Sequence, residues 1–142
     1  MSLKKDEKRD LNKELKEHFK IDFKELKRLF KDYRDGGDEI YDYGLWFSYE
    51  VEDKEGFFRW LLSWGGPSTE FRFFTNPDLT IRRIEYVFMD WYVRTDYELT
   101  GEEFKVLEEI YNELFKDSGA CEVALKEYER EEDEDVVWNN KE

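Results

Sequence analysis

Cysteine, histidine, proline and methionine are scarce in this 142-residue chain: one Cys, one His, two Pro and two Met. One thiol, Cys121, closes no intramolecular disulfide. With one imidazole, His18, no Cys/His zinc set can be assembled. A Cys–His nucleophilic pair would need the two ends of the chain to meet. The EF-hand ligand pattern is missing too. The glycines of Ser63–Thr69 (SWGGPST) lack the Gly-Lys-Ser/Thr and the following helix of a phosphate loop, so they read as a turn. No apolar run approaches the roughly 20 residues of a membrane span. The Lys/Asp/Glu-rich N-terminal segment has no apolar signal core. No cofactor, metal or membrane is therefore expected, and the expected location is cytoplasmic.

Charge and rings are what the chain has in quantity. Charged residues make up 42% of it and aromatics 18%, against a charged norm of about 25%. The net charge of −14 is uneven: residues 1–34 carry 12 basic and 8 acidic residues, whereas 35–142 carry 11 and 29. An acidic main body argues against direct nucleic-acid binding. It points instead to a basic partner, or to a protein that itself binds nucleic acid. The competing reading is a surface that merely keeps the chain soluble.

The near-neutral, ring-rich stretch Phe57–Tyr92 marks a packed β core inside polar wrapping. Before it, a thin stripe of Leu11, Leu15 and Phe19 predicts a charged helix. A second helix is predicted to start at Asp22 as N-cap, with Glu25 as capping-box partner and Ile21/Leu26 as a hydrophobic staple; the alternative is one helix over residues 5–34. Gly36-Gly37 end it. A period of two then places Leu45, Phe47, Tyr49 and Val51 on one strand face, with Trp46, Ser48 and Glu50 on the other. Further strands are expected at 57–64, 70–75 and 80–93, in antiparallel order 1-2-3-4. Thr100 with Glu103, and Leu99 with Phe104, predict a helix start. That helix ends at Gly119, and a short helix with Cys121, Ala124, Leu125 and Tyr128 follows. Residues 129–135 (EREEDED) should fray, and Trp138 either docks on the body or is presented to a partner.

The expected fold is one α+β domain: a four-stranded antiparallel meander with two N-terminal and one or two C-terminal helices. Its parts are a helical arm (1–34), a sheet core (39–93), C-terminal helices (100–131) and an acidic tail (132–142).

Three sets of residues could carry a function. Glu102, Glu109, Glu113, Asp35, Asp38 and Asp42, with Trp138, form an acidic set for a basic or DNA-binding protein, in the limit as a DNA mimic. Arg59, Arg72 and Arg83 on aromatic strands, with Asp90, form a sheet face for an anionic or stacked ligand; the competing reading is cross-strand pairing that only stabilises the sheet. Asp90 is also the best single carboxylate for a metal-dependent hydrolase or nuclease. A homodimer through the Leu11/Leu15/Phe19 stripe is a further expectation.

The string SWGGPS…EFRFF…IEYVFMDW, over roughly residues 40–95, resembles a signature of small proteins encoded on bacterial plasmids and related mobile elements. The resemblance implies that setting and no particular activity. Small acidic proteins that block restriction or other host DNA-binding enzymes are a theme there, although no characterised antirestriction pattern is present.

Overall fold

The computed structural model describes residues 9–140, with side chains described to residue 134. Helix α1 spans Leu11–Arg34 and a 3-10 turn Glu39–Asp42. The strands are β1 (Trp46–Glu52), β2 (Glu55–Ser63), β3 (Ser68–Thr75), β4 (Ile81–Asp90) and β5 (Val93–Glu98). Helix α2 (Gly101–Tyr111) continues as a π turn over Asn112–Lys116, and α3 spans Ala120–Asn140. The fold is α+β. All neighbouring strands pair antiparallel, in the order β1-β2-β3-β4-β5.

The sheet therefore has five strands, not four. The stretch expected as one strand over 80–93 turns back at Trp91-Tyr92, where Trp91 takes φ 56, and Asp90 pairs with Val93. No Gly or Asn marks that turn. At Asp53-Lys54 both residues take positive φ, 52 and 67, which matches the right-handed twist of a two-residue hairpin.

One N-terminal helix stands where two were expected. Its N-cap is Asp10, whose carboxylate accepts the Lys13 N–H at 3.1 Å. The apolar positions Leu15, Phe19, Leu26, Leu29 and Phe30 continue without a phase break and are buried, so packing carries the helix through the local stop signal. Ile21 is 69% exposed and staples nothing. Leu15 and Phe19 are buried in the core shared with this chain's own sheet, and Leu11 packs partly buried against it.

Helix α2 does follow Thr100, but the Thr100 side chain makes no capping bond. Glu103 accepts the Tyr97 hydroxyl instead. Helix α3 runs through 129–135 to Asn140 rather than fraying, which extends the helices past the expected 131 and makes much of the expected acidic tail helical. The docking expected of Trp138 lies outside the described side chains. No helix among the described residues is long and apolar enough to cross a membrane.

All three helices pack on one sheet face, α3 against β1 and α1 against β4 and β5. Phe58, Trp60, Phe71, Phe73, Ile84, Tyr86 and Phe88 point into that layer and form the core. The other face curls on itself. Glu52 of β1 meets Arg94 of β5 at 2.5 Å, although edge strands of a flat five-stranded sheet would lie about 19 Å apart, four spacings of about 4.8 Å. The curl buries Phe57, Leu61, Phe74, Val87 and the Glu70–Arg72 pair, which is joined at 2.7 Å.

Candidate functional site: an acid-rimmed aromatic cleft

Between the end of α1 and the start of β1 the chain reads Asp35-Gly-Gly-Asp-Glu-Ile-Tyr-Asp-Tyr-Gly-Leu-Trp46. Gly36 takes φ 99 and lets the chain leave the helix. The Ile40 side chain anchors the 3-10 turn in the core. Gly44, at φ 84, passes so close to Trp60 that a Cβ there would lie 2.4 Å from the indole Nε1. These constraints lift Tyr41, Leu45 and Trp46 to the surface, 65%, 57% and 57% exposed. Leu45, expected within the first strand on the same face as Phe47, is thus an exposed residue just before β1.

The three side chains border a cleft of about 300 Å³. Trp60 and Phe115 form its inner wall, with rings 5.0 Å apart, and Phe47 stacks on Phe115 at 4.1 Å. Tyr43 packs edge-on to Trp60 at 5.7 Å and donates its hydroxyl to Asp22 at 3.1 Å. Burial, then the Asp22 charge, push the Tyr43 phenol well above its ordinary range, so it stays a neutral donor. Tyr33 holds Tyr41 edge-on at 6.0 Å.

Carboxylates lie on the loop that carries the cleft and on the elements bridged to it. Arg34 at the end of α1 bridges to Glu113 at 3.0 Å and Glu109 at 3.4 Å, which brings that helix end beside the loop. Arg28 bridges Glu39 at 3.3 Å. Asp35, Asp38 and Asp42 are exposed, and among the described residues no salt bridge reaches them. Six carboxylates and two guanidiniums thus lie on or are bridged to the segment that carries the aromatic opening. Such a site attracts cations by charge and holds them on rings.

The fold therefore gathers Asp35, Asp38, Asp42, Glu109 and Glu113 from the expected acidic set. Glu102 stands apart. It lies in the first turn of α2, about 10 Å along the axis from Glu109 at 1.5 Å per residue, and pairs with Lys27 at 3.6 Å. Tyr41, Leu45 and Trp46 were absent from the expected set. Their signal in the sequence was the alternation of ring and acid from Asp38 to Trp46.

The arginine face is assembled, and its charges are consumed. Arg59 lies directly opposite Arg72 and reaches Glu50 at 3.5 Å. Arg72 pairs with Glu70 and with Glu52 (3.1 Å) and lies 4.5 Å over Phe57. Arg83 pairs with Glu55 at 2.8 Å and Glu85 at 3.1 Å, and stacks 3.7 Å from the Phe74 centroid. Asp90 follows Phe88 on the helix side and binds Arg9 at 2.8 Å, away from the other three. No three His, Cys, Asp or Glu side chains among the described residues are grouped to hold a metal ion. His18 packs on Phe88 at 5.0 Å. Cys121 is buried and donates to the Tyr111 hydroxyl at 3.4 Å.

No family model matches the chain, and no curated protein or solved structure matches it.

Proposed function

We propose that this protein is a non-enzymatic interaction module that binds a basic protein through the acid-rimmed cleft. The observation that carries the reading is the placement of Asp35, Asp38 and Asp42, unpaired among the described residues, beside the exposed Tyr41 and Trp46. A Lys or Arg side chain entering the cleft meets the rings face-on while its flanking cations meet the carboxylates. Cation–ring contacts contribute about 0.5–2 kcal/mol each, and Trp and Tyr are the side chains most enriched at binding hot spots. A partner whose own surface normally holds nucleic acid fits best, because it already carries a dense cationic array. The plasmid or mobile-element setting belongs to the same proposal, since host DNA-binding enzymes are the basic proteins met there.

The test is calorimetric titration with an arginine-rich peptide, followed by a DNA-binding protein with and without competing duplex. Affinity is expected to fall by at least tenfold as salt rises from about 0.01 M to about 0.1 M and the Debye length shrinks from about 30 Å to about 10 Å. DNA should compete. Binding that ignores salt, or that survives Asp35→Asn/Asp38→Asn/Asp42→Asn unchanged, removes the reading.

A further inference from the structure

A groove of about 490 Å³ runs along α1. Leu15, Phe19, Phe23 and Tyr97 form its floor, and Lys16, Lys20 and Lys24 its rim; Lys27 and Glu103, the latter accepting the Tyr97 hydroxyl, complete the lining. The rim lysines recur at four-residue spacing, so they stand in a row on one helix edge. Arginines in this protein are almost all committed to carboxylates, whereas among the described residues no salt bridge reaches Lys16, Lys20 or Lys24. An apolar floor with a row of unneutralised cations fits an acidic helix.

This chain contains one. The Tyr128 ring of α3 packs against Tyr49 at 5.3 Å. Beyond it, Glu129–Glu134 are all exposed while the helix continues to Asn140. Residues 129–135 carry six acids and one arginine, and Val136, Val137 and Trp138 come next in the sequence. The 129–140 segment is about 18 Å long and the Leu15–Lys27 stretch about 20 Å, at 1.5 Å per residue. Acids three and four apart repel one another along α3, and a facing lysine row relieves that repulsion. Within one molecule, α3 packs at the β1 edge and α1 at the β5 edge, so an unbroken helix does not fold back across the sheet.

We propose that the acidic half of α3 from a second copy of this chain docks in the lysine-rimmed groove of α1. The contact is independent of the acid-rimmed cleft.

Sedimentation velocity of the full chain tests it. Self-association is expected at low salt and should weaken at least tenfold as salt rises from about 0.01 M to about 1 M and the Debye length falls from about 30 Å to about 3 Å. Lys16→Glu/Lys20→Glu/Lys24→Glu should abolish it, as should Glu129→Lys/Glu131→Lys/Glu132→Lys. All six positions are exposed, and circular dichroism checks that each variant folds. Mixing the two variants should restore association, because each reversed surface then meets its complement. On the unmodified chain, a peptide of residues 129–140 should compete. A monomer at every concentration and salt, association indifferent to salt and peptide, or loss on reversing the groove but not α3, overturns the proposal.

Discussion

Asp22, in the middle of α1, accepts the hydroxyl of Tyr86 from β4 at 2.5 Å. The same carboxylate takes the Tyr43 hydroxyl through its other oxygen. One acid therefore ties the helix to the sheet centre and to the loop that builds the cleft. A hydrogen bond to a charged group contributes about 1.5–3 kcal/mol. Tyr86→Phe should cost about that much, and Asp22→Ala more, because two part-buried hydroxyls lose their acceptor. Urea unfolding measures both. In the Tyr86→Phe background, Asp22→Ala should cost clearly less than it does alone.

The Glu70–Arg72 pair sits inside the curl, with Glu70 fully buried and its Oε1 without a hydrogen-bond partner. Breaking a buried pair strands a charge at about 3–5 kcal/mol, whereas replacing both members with apolar residues is often close to neutral. Arg72→Leu should thus be strongly destabilising. Glu70→Leu/Arg72→Leu should recover most of that loss in the same unfolding assay, less whatever the Arg72 contact to Glu52 contributes.

Trp46 projects from the cleft with more than half its surface in solvent. Trp46→Ala should change stability by less than about 1 kcal/mol while weakening the basic partner by about 2 kcal/mol or more, the size of a hot spot. Stability matched by unchanged affinity would remove Trp46 from the interface.

Gly44→Ala tests whether the cleft depends on its backbone. The position has φ 84 and a Cβ would overlap the Trp60 indole. The left-handed conformation alone costs about 1–2 kcal/mol for a residue with a side chain, and the overlap adds to it. The expected outcome is a clear drop in thermal midpoint together with altered tryptophan fluorescence.

Both ends of the pH scale should weaken the fold. Arg94, then Arg72, hold the Glu52 carboxyl below its usual range, and Arg83 does the same to Glu55. Their contribution is present above the ordinary carboxylate value of about 4.3 and is lost as pH falls through the depressed values. Burial pushes the Cys121 thiol up to about 11. Its contribution is complete below the unfolded value of about 8.5 and is lost as pH rises toward about 11. Tyr43 and Tyr86, raised chiefly by burial, extend the loss to higher pH. Thermal midpoints across pH should show a plateau falling at both ends, with Cys121 resisting alkylation until the chain unfolds.

Period and ring content made much of this protein legible beforehand. The two-residue alternation marked β1, ring-rich apolar runs between turn residues marked the strands that follow, the meander order followed from short loops, and Gly119 marked a helix end. In β4, Ile84, Tyr86 and Phe88 all reach the core. The β5 strand escaped because Trp91-Tyr92 carries no turn residue, and a non-glycine at positive φ is chosen by the pairing around it. Asp22 misled because a cap signal is local, worth about 1 kcal/mol, while the apolar stripe crossing it buries several large side chains.

Composition and periodicity were enough to set what the layers contain: a ring-filled antiparallel sheet, charged helices, and a surplus of acid beyond residue 34. Tertiary structure alone decided which charges remain available. Curling of the sheet brings Glu52 to Arg94 and spends the strand arginines on neighbouring carboxylates, while Asp35, Asp38 and Asp42 on the α1–β1 connection have no ion-pair partner among the described residues. Charge pairing depends on distances of a few ångströms between residues far apart in the chain, and no local pattern encodes those distances.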